Sequence, residues 1–431
     1  MILEFSIKNT FSIKDEQSIS FEASDTINDD ENLHCVNLGR KKFLKLACVY
    51  GANASGKTKI AKAFAFYIHF LTNSFLSLKP DEKIHFTPFL FDATTANEPG
   101  EFKLIFYAKD FNSDNIIRYE YYVKLNNNKV LEESMHYSPK GQKKLVFERF
   151  HEETKKIKWG TSVTGAKKTI EELTRDNCSV VSAGAQAAHP IFLHVYNHFR
   201  ARFRGMIDDS GETLFRYALE RMDKDEDFKR KMIRLLSFSD FGTITDIDIT
   251  ERKIPEHVIN LFSEKVINQI LPKGELSTAK DVNLVHHYGT DFSLPLRLES
   301  AGTQRIMELA APLVDITQKP SFCIIDELES SLHQELQEMF VQLFLECSDE
   351  SQLLFTSHNQ ELLDSGLLRD DEIWFCNKSP AGGSEYHSIV EYTGIRKETS
   401  RKKLYQADKF GALPNVDLNA LKELFRAKKN R

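Results

Sequence analysis

Cysteine is scarce in this sequence, with six residues among 431. Even the closest two, Cys35 and Cys48, are too far apart for a CxxC zinc or redox pair. Long apolar runs are also missing, because the stretch around 61–71 contains Lys62 and His69 and is too short to cross a bilayer. The first residues lack the basic start and long apolar stretch of a signal peptide. We therefore expect a thiol-reduced, soluble, cytoplasmic protein that does not associate with membranes.

A strong net charge is missing as well. The sequence contains 57 Lys and Arg against 63 Asp and Glu, a formal charge of −6. This balance gives no global reason to bind nucleic acid. The mean conceals a basic segment, 395–431, with 11 Lys and Arg against four Asp and Glu. That segment could hold an acidic partner or nucleic acid, or it could be an amphipathic surface helix at 418–428 with solvated lysines.

The apolar pattern indicates an α/β protein with a sizeable core. Period-2 alternation in the first twenty residues predicts short antiparallel strands. A buried strand at 43–50 leads into Gly51, and a helix-compatible segment follows at 57–76. The stretch 170–238 is helical in pattern, without the sustained heptads of a coiled-coil arm. Other predicted strands lie at 102–107, 118–125, 145–150, 243–250, 321–325, 353–356 and 372–376. The alternation of strands and helices after residue 300 predicts a mostly parallel sheet.

The strongest motif follows the strand that ends at Gly51. It fits G-x-x-x-x-G-K-[ST] and has the strand before it and the helix after it that a phosphate loop requires. The predicted phosphate-binding residues are Gly51, Ala52, Asn53, Ala54, Ser55, Gly56, Lys57 and Thr58. Lys57 would contact the β- and γ-phosphates, and Thr58 Oγ1 would bind Mg²⁺. A chance match in a turn is the alternative.

A second motif, SFCIIDE at 321–327, ends a buried strand in two carboxylates. That edge of an open α/β sheet is where ligands bind. Asp326 would hold Mg²⁺, and Glu327 would orient and deprotonate the attacking water. Taken alone, the carboxylates could equally cap the next helix. The phosphate loop upstream favours the catalytic interpretation.

Two further elements indicate the class of phosphate-loop protein. Ser300, Gly302 and Thr303 precede a predicted helix and could form a second anion-binding N-terminus, serving a nucleotide held by another subunit. An ordinary N-cap is the alternative there. His358 ends another strand, where it could contact the γ-phosphate or could be purely structural.

The order of these motifs resembles the ABC class of ATPases, which includes the SMC-like DNA-repair ATPases. The resemblance implies an ABC-type P-loop ATPase head: an antiparallel β lobe and a mostly parallel α/β lobe, with a helical insertion. In that pattern 300–303 is the signature motif, 329–333 the D-loop and His358 the switch histidine. It also implies a homodimer or larger homo-oligomer in which two ATP molecules, with Mg²⁺, are sandwiched between subunits. The expected parts are 1–165 with the phosphate loop, 166–240 as the helical insertion, and 241–431 with the signature, Walker B and switch histidine.

A narrower resemblance covers nearly the whole chain. The segments GANASGKT, LESAGTQR, IIDELESSLHQEL, FTSHNQELL and YQADKFGALP are similar to a bacterial family of stand-alone AAA-type ATPases. That family includes RloA and AriA, the ATPase of the PARIS phage-defence system. The resemblance implies the sensor or regulator of an anti-phage, abortive-infection-type system that controls a second protein, often a nuclease-like effector. Two departures stand out: Ala54 replaces a frequent Gly, and no glutamine occurs between Gln17 and Gln142 to form a Q-loop.

Three other functions compete with this interpretation. A DNA-repair ATPase of the SMC or RecF type would bind DNA, but its long coiled-coil arm is not predicted here. A transporter subunit would carry a signature closer to LSGGQ. A self-contained nuclease would need a metal site, for which Asp246 and Asp248 have suitable spacing but share a solvent face of one strand. We therefore expect an ATPase whose nuclease chemistry, if any, belongs to a partner.

Overall fold

The computed structural model describes residues 1–27, 30–39, 41–151, 157–207, 212–239, 242–253, 278–396, 398–414 and 417–426. The strands are β1 (Ile2–Lys8), β2 (Gln17–Ser20), β3 (Cys35–Leu38), β4 (Lys41–Leu44), β5 (Leu46–Gly51), β6 (Gly100–Lys109), β7 (Ile116–Leu125), β8 (Val130–Ser138), β9 (Lys144–Phe150), β10 (Ile157–Trp159), β11 (Phe203–Ile207), β12 (Ile244–Lys253), β13 (Thr278–His287), β14 (Asp291–Pro295), β15 (Phe322–Ile325), β16 (Gln352–Ser357), β17 (Ile373–Lys378) and β18 (Ser384–Ser388). The helices are α1 (Glu31–His34), α2 (Lys57–Ser77), α3 (Lys167–Leu173), α4 (Val180–Gln186), α5 (Pro190–Arg202), α6 (Glu212–Lys224), α7 (Glu226–Phe238), α8 (Ala301–Gln318), α9 (Gln334–Cys347), α10 (Arg401–Gln406) and α11 (Leu418–Arg426).

The first of two compact units comprises Met1–Asp208, Lys319–Glu329 and Val341–Arg431. It contains a seven-stranded antiparallel sheet in the order β10-β9-β8-β7-β6-β1-β2. It also contains a six-stranded sheet in the order β11-β15-β16-β5-β17-β18, in which only the β17–β18 pairing is antiparallel. The central strand β5 therefore has parallel neighbours on both sides and is buried along its length.

Helix α2 joins these two sheets through its apolar side. Ile60, Phe64, Tyr67 and Leu71 recur at helical spacing and are fully buried. The Phe64 ring stacks on Phe5 of β1 at a centroid distance of 4.1 Å and lies 4.9 Å from a ring of β15. Because α2 begins directly after the glycine-rich loop, this packing fixes where the loop lies in the unit.

The second compact unit comprises Asp209–Gln318 and Ser330–Phe340. Its three-stranded sheet has the order β12-β13-β14, and helices α6, α7 and α8 belong to the same unit. Their core includes Met232, Leu236, Ile247, Leu284 and Met307, all buried. An ion pair between Arg221 and Asp315 also links α6 with α8.

The sheets confirm the predicted fold class: an antiparallel β lobe and a mostly parallel α/β lobe, with helices between them in the chain. Two local predictions were wrong. The single strand expected at 43–50 is divided at Lys45, whose buried ammonium donates to the carbonyls of Leu345 (3.0 Å) and Ser348 (2.6 Å). The helical stretch expected at 170–238 is interrupted by β11, which forms the edge of the parallel sheet.

The three parts expected at 1–165, 166–240 and 241–431 remain a prediction. Helices α3 to α5 lie in the first compact unit, and α6 and α7 lie in the second. Residues 240 and 241, where the last predicted boundary falls, are outside the described residues. In the described part of the chain, no helix combines the length and apolar character that crossing a membrane requires.

Candidate nucleotide site

The glycine-rich loop connects the carboxyl end of the central strand β5 to the first turn of α2. Gly51 is the last residue of β5, and Gly56 is the N-cap of α2. Gly56 has φ +122°, which side-chain-bearing residues rarely adopt. Ala54 adopts the left-handed region at φ +63°. The sequence thus places the amino end of a 21-residue helix at the edge of the sheet where ligands bind.

Strand β18 contacts this loop through hydrogen bonds from two of its side chains. The hydroxyl of Tyr386 donates to the carbonyl of Gly56 (2.8 Å), and Ser384 donates to the carbonyl of Ser55. Ser384 also bonds to the hydroxyl of Ser12 (2.8 Å). Sequence reasoning missed these residues. The only local signal was the alternation of Ser384 and Tyr386, which places both side chains on one face of a strand.

Lys57 is buried at the start of α2. Its ammonium donates to the carbonyls of Gly51 (2.8 Å) and Ala52 (3.1 Å) within the loop. Burial lowers the pKa of Lys57, whereas the carboxylates of Glu329, Glu327 and Asp326 oppose this shift. The ammonium of Lys57 therefore lies among acidic groups at the predicted phosphate site.

Thr58 and Asp326 meet although they are distant in sequence. Thr58 Oγ1 donates to Asp326 Oδ1 (3.2 Å), and Thr356 Oγ1 donates to the same oxygen (2.7 Å). A hydroxyl and a carboxylate in contact are hard oxygen donors, which suit Mg²⁺ completed by phosphate oxygens and water. Among the described residues, no cluster of three or more His, Cys, Asp or Glu side chains could hold a metal. Thr58 and Asp326 thus offer two oxygen ligands to such an ion.

Glu327 and His358 lie at adjacent strand ends beside this pair. The backbone N–H of Glu327 donates to Thr356 Oγ1 (2.8 Å), and Glu327 Oε1 lies 4.0 Å from His358 Nε2. Burial lowers the pKa of His358, and the charge of Lys57 lowers it further, against the attraction of Asp326. A neutral imidazole at physiological pH can donate one hydrogen bond and accept another.

The predicted signature residues belong to the second compact unit, at the start of α8. Ser300 Oγ accepts the backbone N–H of Thr303 (3.1 Å) and bonds to the Thr303 hydroxyl (2.8 Å). This is the N-cap arrangement that was the alternative interpretation of the motif. A Cβ added to Gly302 would lie 3.2 Å from the carbonyl oxygen of Ser331. The structure thus brings Lys57, Thr58, Asp326, Glu327 and His358 together in the first unit, whereas Ser300, Gly302 and Thr303 form a separate helix start.

Comparison with protein families identifies the chain at the family level. Residues 46–364 match the family described as "AAA domain, putative AbiEii toxin, Type IV TA system". The chain belongs to this AAA family. The match begins at β5 and therefore includes the glycine-rich loop, Asp326, Glu327 and His358 of the site above. No curated protein matches the chain.

Several solved structures are similar to this AAA-family chain. The SMC head domain from Thermotoga maritima is 13% identical, with 90% of this chain and 98% of that one covered and a TM-score of 0.42. An SmcHead bound to the C-winged helix domain of ScpA is 13% identical, covering 90% and 99%, with a TM-score of 0.45. An Smc head domain from Pyrococcus furiosus, bound to the C-terminal domain of ScpA, is 12% identical, covering 95% and 98%, with a TM-score of 0.38. The fold assignment rests on the strand order of this chain itself.

Proposed function

We propose that the chain is an ABC-class ATPase that hydrolyses ATP with Mg²⁺ at the site at the carboxyl end of β5. The single observation that carries this proposal is the contact of Thr58 with Asp326, with Glu327 and His358 beside it. Membership of the AAA family supports the same activity. A chance glycine-rich turn would have no reason to bring together the hydroxyl, the carboxylates and the histidine that phosphoryl transfer uses.

Each side chain has a defined task in this proposal. The amides of the loop and the ammonium of Lys57 bind the phosphates, and Thr58 with Asp326 would hold Mg²⁺. The ion, when bound, neutralises charge that develops on the phosphate oxygens. Glu327 orients the attacking water and accepts its proton, and the imidazole of His358 contacts the γ-phosphate. Because Thr356 bonds both Asp326 and the N–H of Glu327, one hydroxyl aligns the two acidic residues.

We also propose that the active assembly is a homodimer or larger homo-oligomer. Ser300, Gly302 and Thr303 of one copy would then complete the nucleotide site of another. The start of α8 suits this role, because the helix dipole favours an anion at a helix N-terminus. The proposal follows the order of motifs in the sequence, which resembles that of ABC ATPases.

The biological role that we propose is regulation of a partner. The chain would act as the sensor or regulator subunit of an anti-phage system and control a second protein, such as a nuclease-like effector, through its nucleotide state. The support is the sequence resemblance to the family that contains RloA and AriA. A DNA-repair ATPase of the SMC or RecF type is the alternative, and addition of DNA to the ATPase assay distinguishes the two.

Two variants test the ATPase proposal. Lys57→Ala should abolish hydrolysis and weaken ATP binding, because the variant lacks the phosphate-binding cation. Glu327→Gln should retain ATP binding but slow turnover by about 100-fold or more, because the amide cannot accept the proton of the attacking water. Steady-state phosphate release and equilibrium binding of a labelled ATP measure both effects.

Lys62→Ala is the matched control, because Lys62 lies on the same helix and is exposed. It should bind and hydrolyse ATP like the unmodified protein. Turnover of Glu327→Gln at the unmodified rate would show that another group is the base. Full activity of Lys57→Ala would overturn the site itself.

A further inference from the structure

Glu329 is a partly buried acidic residue for which the proposed chemistry has no task. It follows the pair Asp326 and Glu327 in the sequence DELE. Its Oε1 accepts the backbone N–H of His358. Its Oε2 is buried and has no hydrogen-bond partner within the described part of the chain. Shielding one oxygen of a carboxylate from water without a hydrogen-bond partner costs free energy. We therefore looked for a function of its contact with His358.

The surroundings of Glu329 disfavour the ionised form of its carboxyl group. Burial raises the pKa of Glu329, and the nearby charge of Glu327 raises it too. Hydrogen bonding to backbone groups, including the N–H of His358, acts in the opposite direction. A non-ionisable side chain would avoid the repulsion between two neighbouring carboxylates. The carboxylate of Glu329 nevertheless provides a hydrogen-bond acceptor for the N–H of His358.

The contact with His358 is the outermost of a set that joins two strand ends. The hydroxyl of Thr356 binds Asp326 (2.7 Å), and the N–H of Leu328 donates to the carbonyl of Thr356 (3.1 Å). These bonds fix the acidic residues against the end of β16. His358 is the first residue after β16. Among the described hydrogen bonds, its backbone makes one, which is the bond to Glu329.

We propose that Glu329 is a positioning residue that fixes the backbone of His358 and so holds its imidazole beside Glu327. This inference rests on the proposed ATPase function, in which His358 contacts the γ-phosphate. The separation of 4.0 Å between His358 Nε2 and Glu327 Oε1 depends on the position of the His358 backbone. Glu329 acts on hydrolysis through His358, whereas the phosphate loop and Lys57 bind the phosphates directly.

The test compares Glu329→Ala with Glu329→Gln. The alanine variant lacks the acceptor, so kcat should fall by about tenfold or more while KM for ATP is unchanged. The glutamine variant keeps an amide oxygen that can accept the N–H, so kcat should stay within about threefold of the unmodified value. In a His358→Ala background, Glu329→Ala should cause no further loss, because both changes remove the same contribution.

A second readout does not depend on hydrolysis. Amide hydrogen exchange at His358 should be about tenfold faster in Glu329→Ala and close to unmodified in Glu329→Gln. Equal exchange in all three proteins would overturn the proposal, as would losses of kcat that multiply in the double variant. If the unmodified protein did not hydrolyse ATP, the proposed function would fail, and the exchange experiment would still decide whether Glu329 holds His358.

Discussion

At the scale of single residues, Glu327 occupies a backbone conformation that side-chain-bearing residues rarely adopt. Its φ is +49°, and its N–H is held by the hydroxyl of Thr356. A left-handed conformation at such a residue costs on the order of 1 kcal/mol and persists only where its surroundings enforce it. The hydrogen bond to Thr356 provides part of that enforcement. The turn directs the chain away from β15 immediately after Asp326, at the point where the proposed base must face the nucleotide.

Sequence motifs marked the candidate site residues, but they did not mark the residues that support them. Lys57, Thr58, Asp326 and Glu327 stand in short motifs whose spacing reflects their local geometry. Ser12, Thr356 and Ser384 support the same site through contacts with residues far away in sequence. No local pattern marks a serine or threonine as such a support, because the contact depends on which strands become neighbours.

Gly56 allows a direct test of the support behind the loop. In Gly56→Ala the new Cβ would lie 2.1 Å from Ser384 Oγ, at a φ of +122° that alanine disfavours. We expect a loss of stability of about 1–3 kcal/mol and loss of ATP binding. Thermal unfolding and equilibrium binding measure the two effects. Gly242→Ala is the control, because its nearest neighbour would lie 3.8 Å away; an equal loss of stability in both variants would refute this account of Gly56.

At the scale of secondary-structure elements, local patterns predicted the strand–loop–helix unit of β5 and α2. The buried strand and the apolar face of the helix are both determined by contiguous residues. Strand β11 was missed because its pairing with β15 joins residues more than a hundred positions apart. Its segment, with Gly205 at φ +88°, follows directly on the helical pattern of α5. Whether this segment forms a strand depends on its pairing with the distant strand β15 rather than on the local spacing of its apolar residues.

A buried ion pair joins the antiparallel sheet to α4. Glu133 accepts from the hydroxyl of Tyr121 (2.8 Å) and from the N–H of Val180 (2.8 Å). Arg149 lies 3.4 Å from Glu133 and donates to the carbonyl of Cys178 (2.8 Å). Burial raises the pKa of Glu133, and the charge of Arg149 opposes that shift. The pair thus satisfies backbone groups at a helix start as well as each other.

Glu133→Ala should therefore destabilise the protein by about 3–5 kcal/mol, because it removes the nearer and fully buried carboxylate partner of the Arg149 guanidinium. Urea-induced unfolding followed by circular dichroism measures the change. Glu172→Ala is the matched control, since its pairing with Lys168 is exposed and should contribute less than about 1 kcal/mol. A similar effect of the two substitutions would contradict the structural role given to Glu133.

At the scale of the whole molecule, the small net charge does not reveal the basic segment near the C-terminal end. Helix α11 is the amphipathic helix expected near the basic C-terminal end, and residues 427 and 428 of that prediction lie outside the described residues. Leu418, Leu424 and Phe425 of α11 are more than half exposed. The sequence predicted a helix there, but its pattern alone could not tell whether the apolar face would be covered.

The proposed sharing of the nucleotide site between copies is the central claim at this scale. Lys57→Ala removes the phosphate-binding cation, and Ser300→Arg places a bulky cation at the start of α8. In a dimer formed from one copy of each variant, one composite site carries both changes and the other carries neither. A site completed within a single chain would instead carry one change in every copy.

The decisive measurement is the ATP turnover of a 1:1 mixture of Lys57→Ala and Ser300→Arg, after exchange of subunits. The account predicts two inactive variants whose mixture recovers roughly a quarter of the unmodified turnover, since half of the dimers contain one intact site of two. A mixture no more active than the mean of the separate variants would contradict a nucleotide site shared between copies.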